Sequence, residues 1–293
     1  MVDWETDSFM FEWDKTYVAT NLKPGAKSYD RDLFLQLDQE LAGVDEAMQN
    51  CSFAIIAAVS FALGRADVVG RLFDDLTKDS QPEESQKVFL QFREAVITVL
   101  PYLGLPICIP ACYGLIGVVK RRGPQYAAPT RLRNPAIEAQ DAIRGTELRK
   151  RIYTGVGNGE IFGLMDQYFA DFTFFSSVVT WGWLIAPVSD QVFGLQSTHL
   201  ITASAIMALG AARQTRSHPK ATIGIGNSPY LVKVVVGVVG RLAEWADRLV
   251  PSFDIDALAN EMEAALKQKK EAVTALLNTL LGSHCMLGSR RMR

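Results

Sequence analysis

Apolar residues along this chain recur at helical spacing, in runs broken by short polar stretches. Positions 198–210 are apolar almost all round, the mark of a buried helix, and Gly210 followed by the polar cluster Arg213, Gln214 and Arg216 ends that run. A short helix carrying His218 comes next and is closed by the glycines of TIGIGN. Ser228 then suits an N-cap, and Pro229 the first position of a long third helix. The β-branched run 234–239 falls between Pro229 and the periodic Leu242, Trp245 and Leu249, so it too reads as helix.

An earlier stretch, 51–106, follows the same plan: buried helix, Gly64, short polar helix, loop, then Pro82 opening a long amphipathic helix. Laid without gaps, 51–64 falls on 197–210 and matches Ile55 with Ile201, Ala57 with Ala203, and Ala62-Leu63-Gly64 with Ala208-Leu209-Gly210. Pro82 and Pro229 depart from that offset by a single residue. Agreement of helix order, breaker and proline predicts an all-α chain of two tandem copies of one helical unit.

The remaining segments fit around these copies. Residues 1–30 carry aromatics without a period, and Lys23-Pro24-Gly25 predicts an extended arm lying over the core. The first unit is assigned to 31–122, where Leu33, Phe34, Leu37 and Leu41 share one helical face. A linker rich in Arg, Pro and Gly covers 123–135. The second unit, 136–250, starts with a helix that turns Ile137, Ile143, Leu148 and Ile152 inward. Within it, GVGNGE at 155–160 reads as a turn, because no strand precedes it and no Gly-Lys-Ser/Thr follows. Tyr168, Phe169, Phe172, Phe174, Phe175, Trp181 and Trp183 then cluster, either as core or as the lining of a pocket facing His218. The last segment, 251–293, is an amphipathic helix and tail, with Leu258, Met262, Leu266, Ala272 and Leu276 set to dock on the core or on a neighbouring subunit.

Composition narrows the function classes. The 25 residues 95–119 hold no charge, long enough for a membrane span, but Pro101, Pro106 and Pro110 divide them. The run 172–189 nearly qualifies and holds Thr173, Ser176, Ser177, Thr180 and Pro187, so both read as buried helices and no membrane span is expected. With 30 basic and 32 acidic residues and no basic stripe, nucleic acid is not an expected partner. Cys51, Cys108, Cys112 and Cys285 form no Cys-x-x-Cys pair and read as free thiols in a reducing compartment. An acidic, aromatic beginning, MVDWETDSFMFEWDK, is the reverse of a targeting peptide, so a cytoplasmic location is expected. Three isolated histidines without clustered Asp or Glu predict no metal site, and His199 and His284 read as structural.

His218 is the candidate centre of any chemistry. A neutral imidazole takes or gives a proton near neutral pH, as a cofactor-free decarboxylation, enolisation or cyclisation requires. Arg213 and Arg216 can hold a carboxylate or stabilise an enolate, and Gln214, four residues before His218, shares its helical face and can orient a carbonyl. Tyr168, Trp181 and Trp183 are the candidate aromatic contacts of the substrate. The competing reading makes His218 a capping or helix-bonding group and leaves both arginines in solvent.

The strings ALGRADVVGRLF, REAVITVLPYLGLP, RGTELRKRIY and ALGAARQTRSHPKATIGIG together resemble the carboxymuconolactone decarboxylase-like branch of the alkyl hydroperoxidase D-like superfamily, most closely fungal members with two fused units. The resemblance spans about residues 45–250, and its His-x-x-Ala-x-x-x-Gly pattern falls, offset, on His218, Ala221, Gly224 and Gly226. It implies two tandem units packed as an intramolecular pseudo-dimer, a homo-oligomer, and a small-molecule substrate. Peroxidase members of that family carry Cys-x-x-Cys before the histidine, where this chain has Ala211 and Gln214, and neither supplies a thiolate. The first copy has Leu72 opposite His218 and Arg65 opposite Ala211. The decarboxylase branch works without cysteines or cofactor, which implies a lyase or isomerase acting on an unsaturated or polyketide-like molecule, in the manner of accessory enzymes of secondary metabolism. A thiol peroxidase using Cys108 and Cys112, and a non-catalytic binding or assembly protein, stay open beside it.

Overall fold

Asp7 starts the first helix by accepting a 2.9 Å hydrogen bond from the Met10 N–H, and α1 (Ser8–Trp13) runs on into a wide π-turn over Asp14–Val18. The computed structural model describes the main chain of residues 4–157 and 159–288 and side chains as far as 276; His284 and Cys285 lie outside those described side chains. Among the described residues there is no strand. The chain is all-α.

Asp30 caps α2 (Arg31–Ala42), whose Phe34, Leu37 and Leu41 are buried. Every residue of α3 (Ser52–Ala62) is buried, and Gly64 ends the run in the left-handed region at φ 77°. α4 (Val68–Thr77) leads to α5 (Pro82–Leu103), with Pro82 at its first position, and Gly104 at φ 81° separates it from α6 (Leu105–Arg122). After the linker come α7 (Ala139–Ile152), α8 (Gly159–Tyr168) and α9 (Ala170–Phe175), and α9 continues through a π-helical stretch, Ser176–Ile185, into α10 (Ala186–Gln191). The final group is α11 (Gly194–Leu209), α12 (Ala212–Gly224), α13 (Pro229–Trp245) and α14 (Ile255–Gly288). Gly210 at φ 73° closes α11, and Ser228 caps α13 through a 3.1 Å bond from Leu231 N–H.

The core is built where α3 packs along α11. Both are apolar on nearly all sides, so each can exist only when covered all round. α5 and α13 complete the covering, and Phe61, Phe73 and Phe92 fill the space between them. Arg65, in the loop after α3, is nearly as buried as the core: it pairs with Asp67 at 2.8 Å, donates to the Lys27 carbonyl at 2.7 Å, and lies 4.1 Å over the Trp245 ring. A second buried ion group ties down the linker. Arg133 reaches Glu94 on α5 at 2.7 Å and donates to the Leu184 carbonyl at the same distance, while Arg93 holds the other Glu94 oxygen at 3.0 Å.

Four expectations are corrected. Residues 8–21 are helical and pack on α6, burying Met10 and Val18, so only the stretch around Lys23-Pro24-Gly25 is extended. Pro101 and Pro110 lie inside α5 and α6, each at the expense of one main-chain hydrogen bond, and the break comes at Gly104 instead. Ile137 and Ile143 are half exposed and only Ile152 is buried, because α7 turns a glycine face rather than its isoleucines toward the next helix. On α14 only Leu258 and Met262 of the five expected to dock are buried, while Leu266, Ala272 and Leu276 are exposed. One described helix, Ala170–Gln191, is long and apolar enough to cross a membrane by length and composition, and more than half of its most apolar stretch is buried within the protein.

That glycine face sets the closest approach in the molecule. A Cβ on Gly145 of α7 would overlap the Ser177 carbonyl and come 2.6 Å from the Gly182 nitrogen, and one on Gly182 would overlap the Asp141 carbonyl. Main chain therefore touches main chain, which only a hydrogen side chain permits. Gly145→Ala or Gly182→Ala should lower stability by about 2–3 kcal/mol, the cost of forcing packed backbones apart. Denaturant titration checks this, with Gly163→Ala as control, since nothing lies near the missing Cβ of Gly163 and its stability should hold or rise.

Candidate functional site

The helices that cross at Gly145 and Gly182 also carry the groups around His218. From Gly145, Arg149 and Tyr153 follow at intervals of four along α7, or just past its end, and so line the same face. Trp181 adjoins Gly182 in the π-helical stretch, whose wider turn changes the side-chain spacing and brings Thr180 and Trp181 to one cavity. α12 supplies Arg213, Gln214, Ser217 and His218; the end of α5 adds Pro101 and Tyr102; α8 and α9 close the outer side with Ile161, Phe162, Met165, Phe172 and Phe175. The enclosed volume is about 400 Å³, enough for a small ring-bearing molecule.

His218 is 5% exposed. Its Nε2 and the Tyr153 hydroxyl are 3.2 Å apart and hydrogen-bonded, while its Nδ1 is buried with no protein partner. The His199 ring, from α11, stacks on it with centroids 5.3 Å apart and planes 23° from parallel. Tyr102 meets His218 edge-on at 6.2 Å, and Tyr153 stands edge-on to both Trp181 and His199. Neither nitrogen of His199 makes a hydrogen bond of ordinary geometry, although the His218 main chain is close enough to favour its charged form slightly. The Tyr102 hydroxyl is also buried without a partner. Four orphaned polar atoms on three adjacent rings are uncommon in an interior, where such groups are normally satisfied.

Burial dominates the titration of this cluster. It lowers His218 to about 4 and pushes His199 well below the usual imidazole range, with the neighbouring His218 adding to the effect on His199. It raises both phenols, Tyr102 well above 10 and Tyr153 against an opposing pull from Arg149. All four rings are therefore uncharged at neutral pH. The rings offer neutral donors and acceptors, and the charge lining the cavity comes from the Arg149 and Arg213 guanidinium groups.

The predicted residues divide. Arg213, Gln214, His218 and Trp181 come together at the cavity, with Trp181 4% exposed. Arg216 does not: it is turned outward and bonded to Glu261 on α14, because two residues from His218 on a helix is the opposite face. Tyr168 is 68% exposed at the tip of α8 and lines none of the cavity. Trp183 faces the linker, where its Nε1 donates to the Asn134 carbonyl at 3.1 Å. His199, expected to be structural, stands beside His218, and the cavity draws on α5 as well as on the second segment. Tyr153, Tyr102 and Arg149 were not singled out from sequence, though all three fall inside the strings quoted for the family resemblance.

Cys108 and Cys112 are unpaired on α6 and line no part of this cavity; burial holds the Cys108 thiol up at about 12 and raises Cys112 as well. Neither is a thiolate near pH 7. Among the described residues no three His, Cys, Asp or Glu side chains gather as a metal-binding group. Comparison with protein-family models, with curated proteins and with solved structures gave no significant match.

The depressed imidazoles make the fold acid-sensitive. An unfolded histidine takes its proton near 6.5, whereas native His218 takes none until about 4, so stability is whole above pH 6.5 and is lost as pH falls toward 4. His218 alone accounts for up to about 3 kcal/mol of that loss, and His199 acts in the same direction. Denaturant midpoints measured from pH 7 to pH 4 should fall more steeply in the wild type than in His218→Asn.

Proposed function

We propose that the chain is a fused two-unit member of the carboxymuconolactone decarboxylase-like branch and acts as a cofactor-independent lyase or isomerase, of decarboxylase or cyclase type, on an unsaturated or polyketide-like small molecule. The observation that carries this reading is a neutral buried imidazole, His218, lining an aromatic cavity with one nitrogen bonded to Tyr153 and the other unpartnered. The duplicated plan of α3–α5 and α11–α13, each with a left-handed glycine after its buried helix and a proline opening its long one, is consistent with fused units.

His218 lines the cavity, and its neutral ring can take a proton from carbon next to a carbonyl. The electrons of that C–H bond move into the carbonyl, and Arg213 and Gln214 are available to stabilise the resulting enolate. In a decarboxylation the electrons come instead from the broken C–C bond, carbon dioxide leaves, and a proton is delivered to the same carbon. A histidine lowered to about 4 is a weak base, so the substrate must carry an acidified position, as a vinylogous or 1,3-dicarbonyl system does.

His218→Ala should fold and lose at least about 100-fold in kcat/KM, the scale of a positioned acid–base group, and Tyr153→Phe should lose less. The metabolite that accumulates when the protein is absent supplies the substrate for that assay. Wild-type kcat/KM should stay level from pH 8 down to about 5 and fall below that, as His218 gains its proton through about 4. Full turnover by His218→Ala would remove His218 from the mechanism, whereas a wild type that binds the accumulating metabolite without converting it would leave the second reading, a binding protein.

The same reading includes a homo-oligomer. Tyr168, Phe169, Phe172, Phe174 and Phe175 are each more than half exposed on α8 and α9. At ~200 Å² per ring they leave on the order of 600 Å² of aromatic surface, near the ~800 Å² that each partner contributes to an ordinary interface. Sedimentation should show an assembly of wild-type chains that Phe169→Ser/Phe174→Ser shifts toward the monomer.

A further inference from the structure

A second cavity adjoins the first. It is a groove of about 730 Å³ between α7, the glycines at 155, 157 and 159, and α14, and it shares Arg149, Tyr153 and Phe162 with the His218 cavity. Its chemistry differs. Arg149 and Lys150 from α7 and Lys269 from α14 all face it, and among its described lining residues there is no Asp or Glu. None of the three cations has a carboxylate within ion-pair distance among the described residues, although most other buried or half-buried arginines of this chain do. The half-buried Arg149 guanidinium lies 4.4 Å over the Phe162 ring and makes only a long 3.4 Å bond to the Ser177 hydroxyl.

Three unpaired cations brought to one groove from two helices repel one another and gain most from a ligand that neutralises them together. A phosphate ester has the charge for that, close to two negatives at pH 7, and three oxygens to spread over three donors. A single carboxylate serves one planar fork well but not three separated cations. The Thr146 and Thr154 hydroxyls on the same wall already donate to the Ala142 and Lys150 carbonyls, so the recognition falls to the three cations. Arg149 is the hinge of the arrangement, since it belongs to both spaces.

We propose that the groove is an anion site for the phosphate end of a two-part ligand whose flat apolar end occupies the His218 cavity. This rests on the inner cavity being a ligand site, and does not require His218 to be catalytic.

Calorimetric titration of the full chain with 1-naphthyl phosphate and with 1-naphthol at pH 7.5 tests it. The phosphate ester should bind at least tenfold more tightly than the neutral ring, with an advantage that shrinks as salt is raised. Lys150→Gln/Lys269→Gln, which keeps Arg149 and the lining of the inner cavity, should cut the advantage at least fivefold while leaving 1-naphthol affinity in place, and Lys269→Gln alone, an exposed change on α14, should cut it by less. Equal affinities in the wild type, or an advantage that survives the double variant, would overturn the proposal. His218→Ala should leave the advantage intact, so a failed catalytic reading and a failed anion site give different results. If 1-naphthyl phosphate binds through the cations but 1-naphthol does not bind at all, the inner half of the proposal is wrong.

Discussion

The contact of bare main chain at Gly145 and Gly182 is the constraint from which the rest of the site follows. Two helices that touch backbone to backbone have almost no freedom to slide or rotate, since any adjustment drives carbonyls into each other. One of them ends in Tyr153 and the other presents Trp181, so the distance between those rings, and from Tyr153 to His218, is fixed by a contact that carries no chemistry itself. The same geometry recurs in the first half of the chain, where Gly70 of α4 meets Gly114 of α6, and there the flanking side chains are joined as ion pairs, Arg71 with Asp14 and Arg121 with Asp74.

Rigid walls and the exclusion of water explain why the cluster is neutral. Each ring is too buried to ionise cheaply, and no carboxylate stands by to compensate an imidazolium. Hydrogen bonding is worth most in such a place, because the low local dielectric strengthens each bond and makes each unmet donor costly. The orphaned nitrogens of His199 and His218 and the free Tyr102 hydroxyl are thus costly features of the interior beside the cavity. Arg213 and Arg149, at the margin, are where charge can approach without entering.

The helical plan was readable because it is local. Glycines after α3 and α11, prolines opening α5 and α13, and caps at Asp30 and Ser228 are each decided within a few residues, and they fall where the pattern places them. Helical spacing also placed Gln214 with His218, and should have set Arg216 apart, since two residues is half a turn. What spacing could not supply was His199 beside His218: the pairing runs between two helices joined at Gly210, and a histidine in a uniformly apolar helix has no face to indicate where it points. The aromatic run 168–183 failed as a guide for a related reason. Its period drifts through the π-helical stretch, so Trp181 turns inward while Tyr168 and Trp183 do not.

The pairing of α3 with α11 has a bearing on how the protein is made. When α3 leaves the ribosome, the helix that must cover one side of it lies some 130 residues downstream. At translation rates of about 5–20 residues per second, that apolar flank waits on the order of ten seconds for its counterpart. Nascent chains of this protein thus have good reason to need a chaperone during synthesis, and the order of its halves is a matter of biogenesis as much as of architecture.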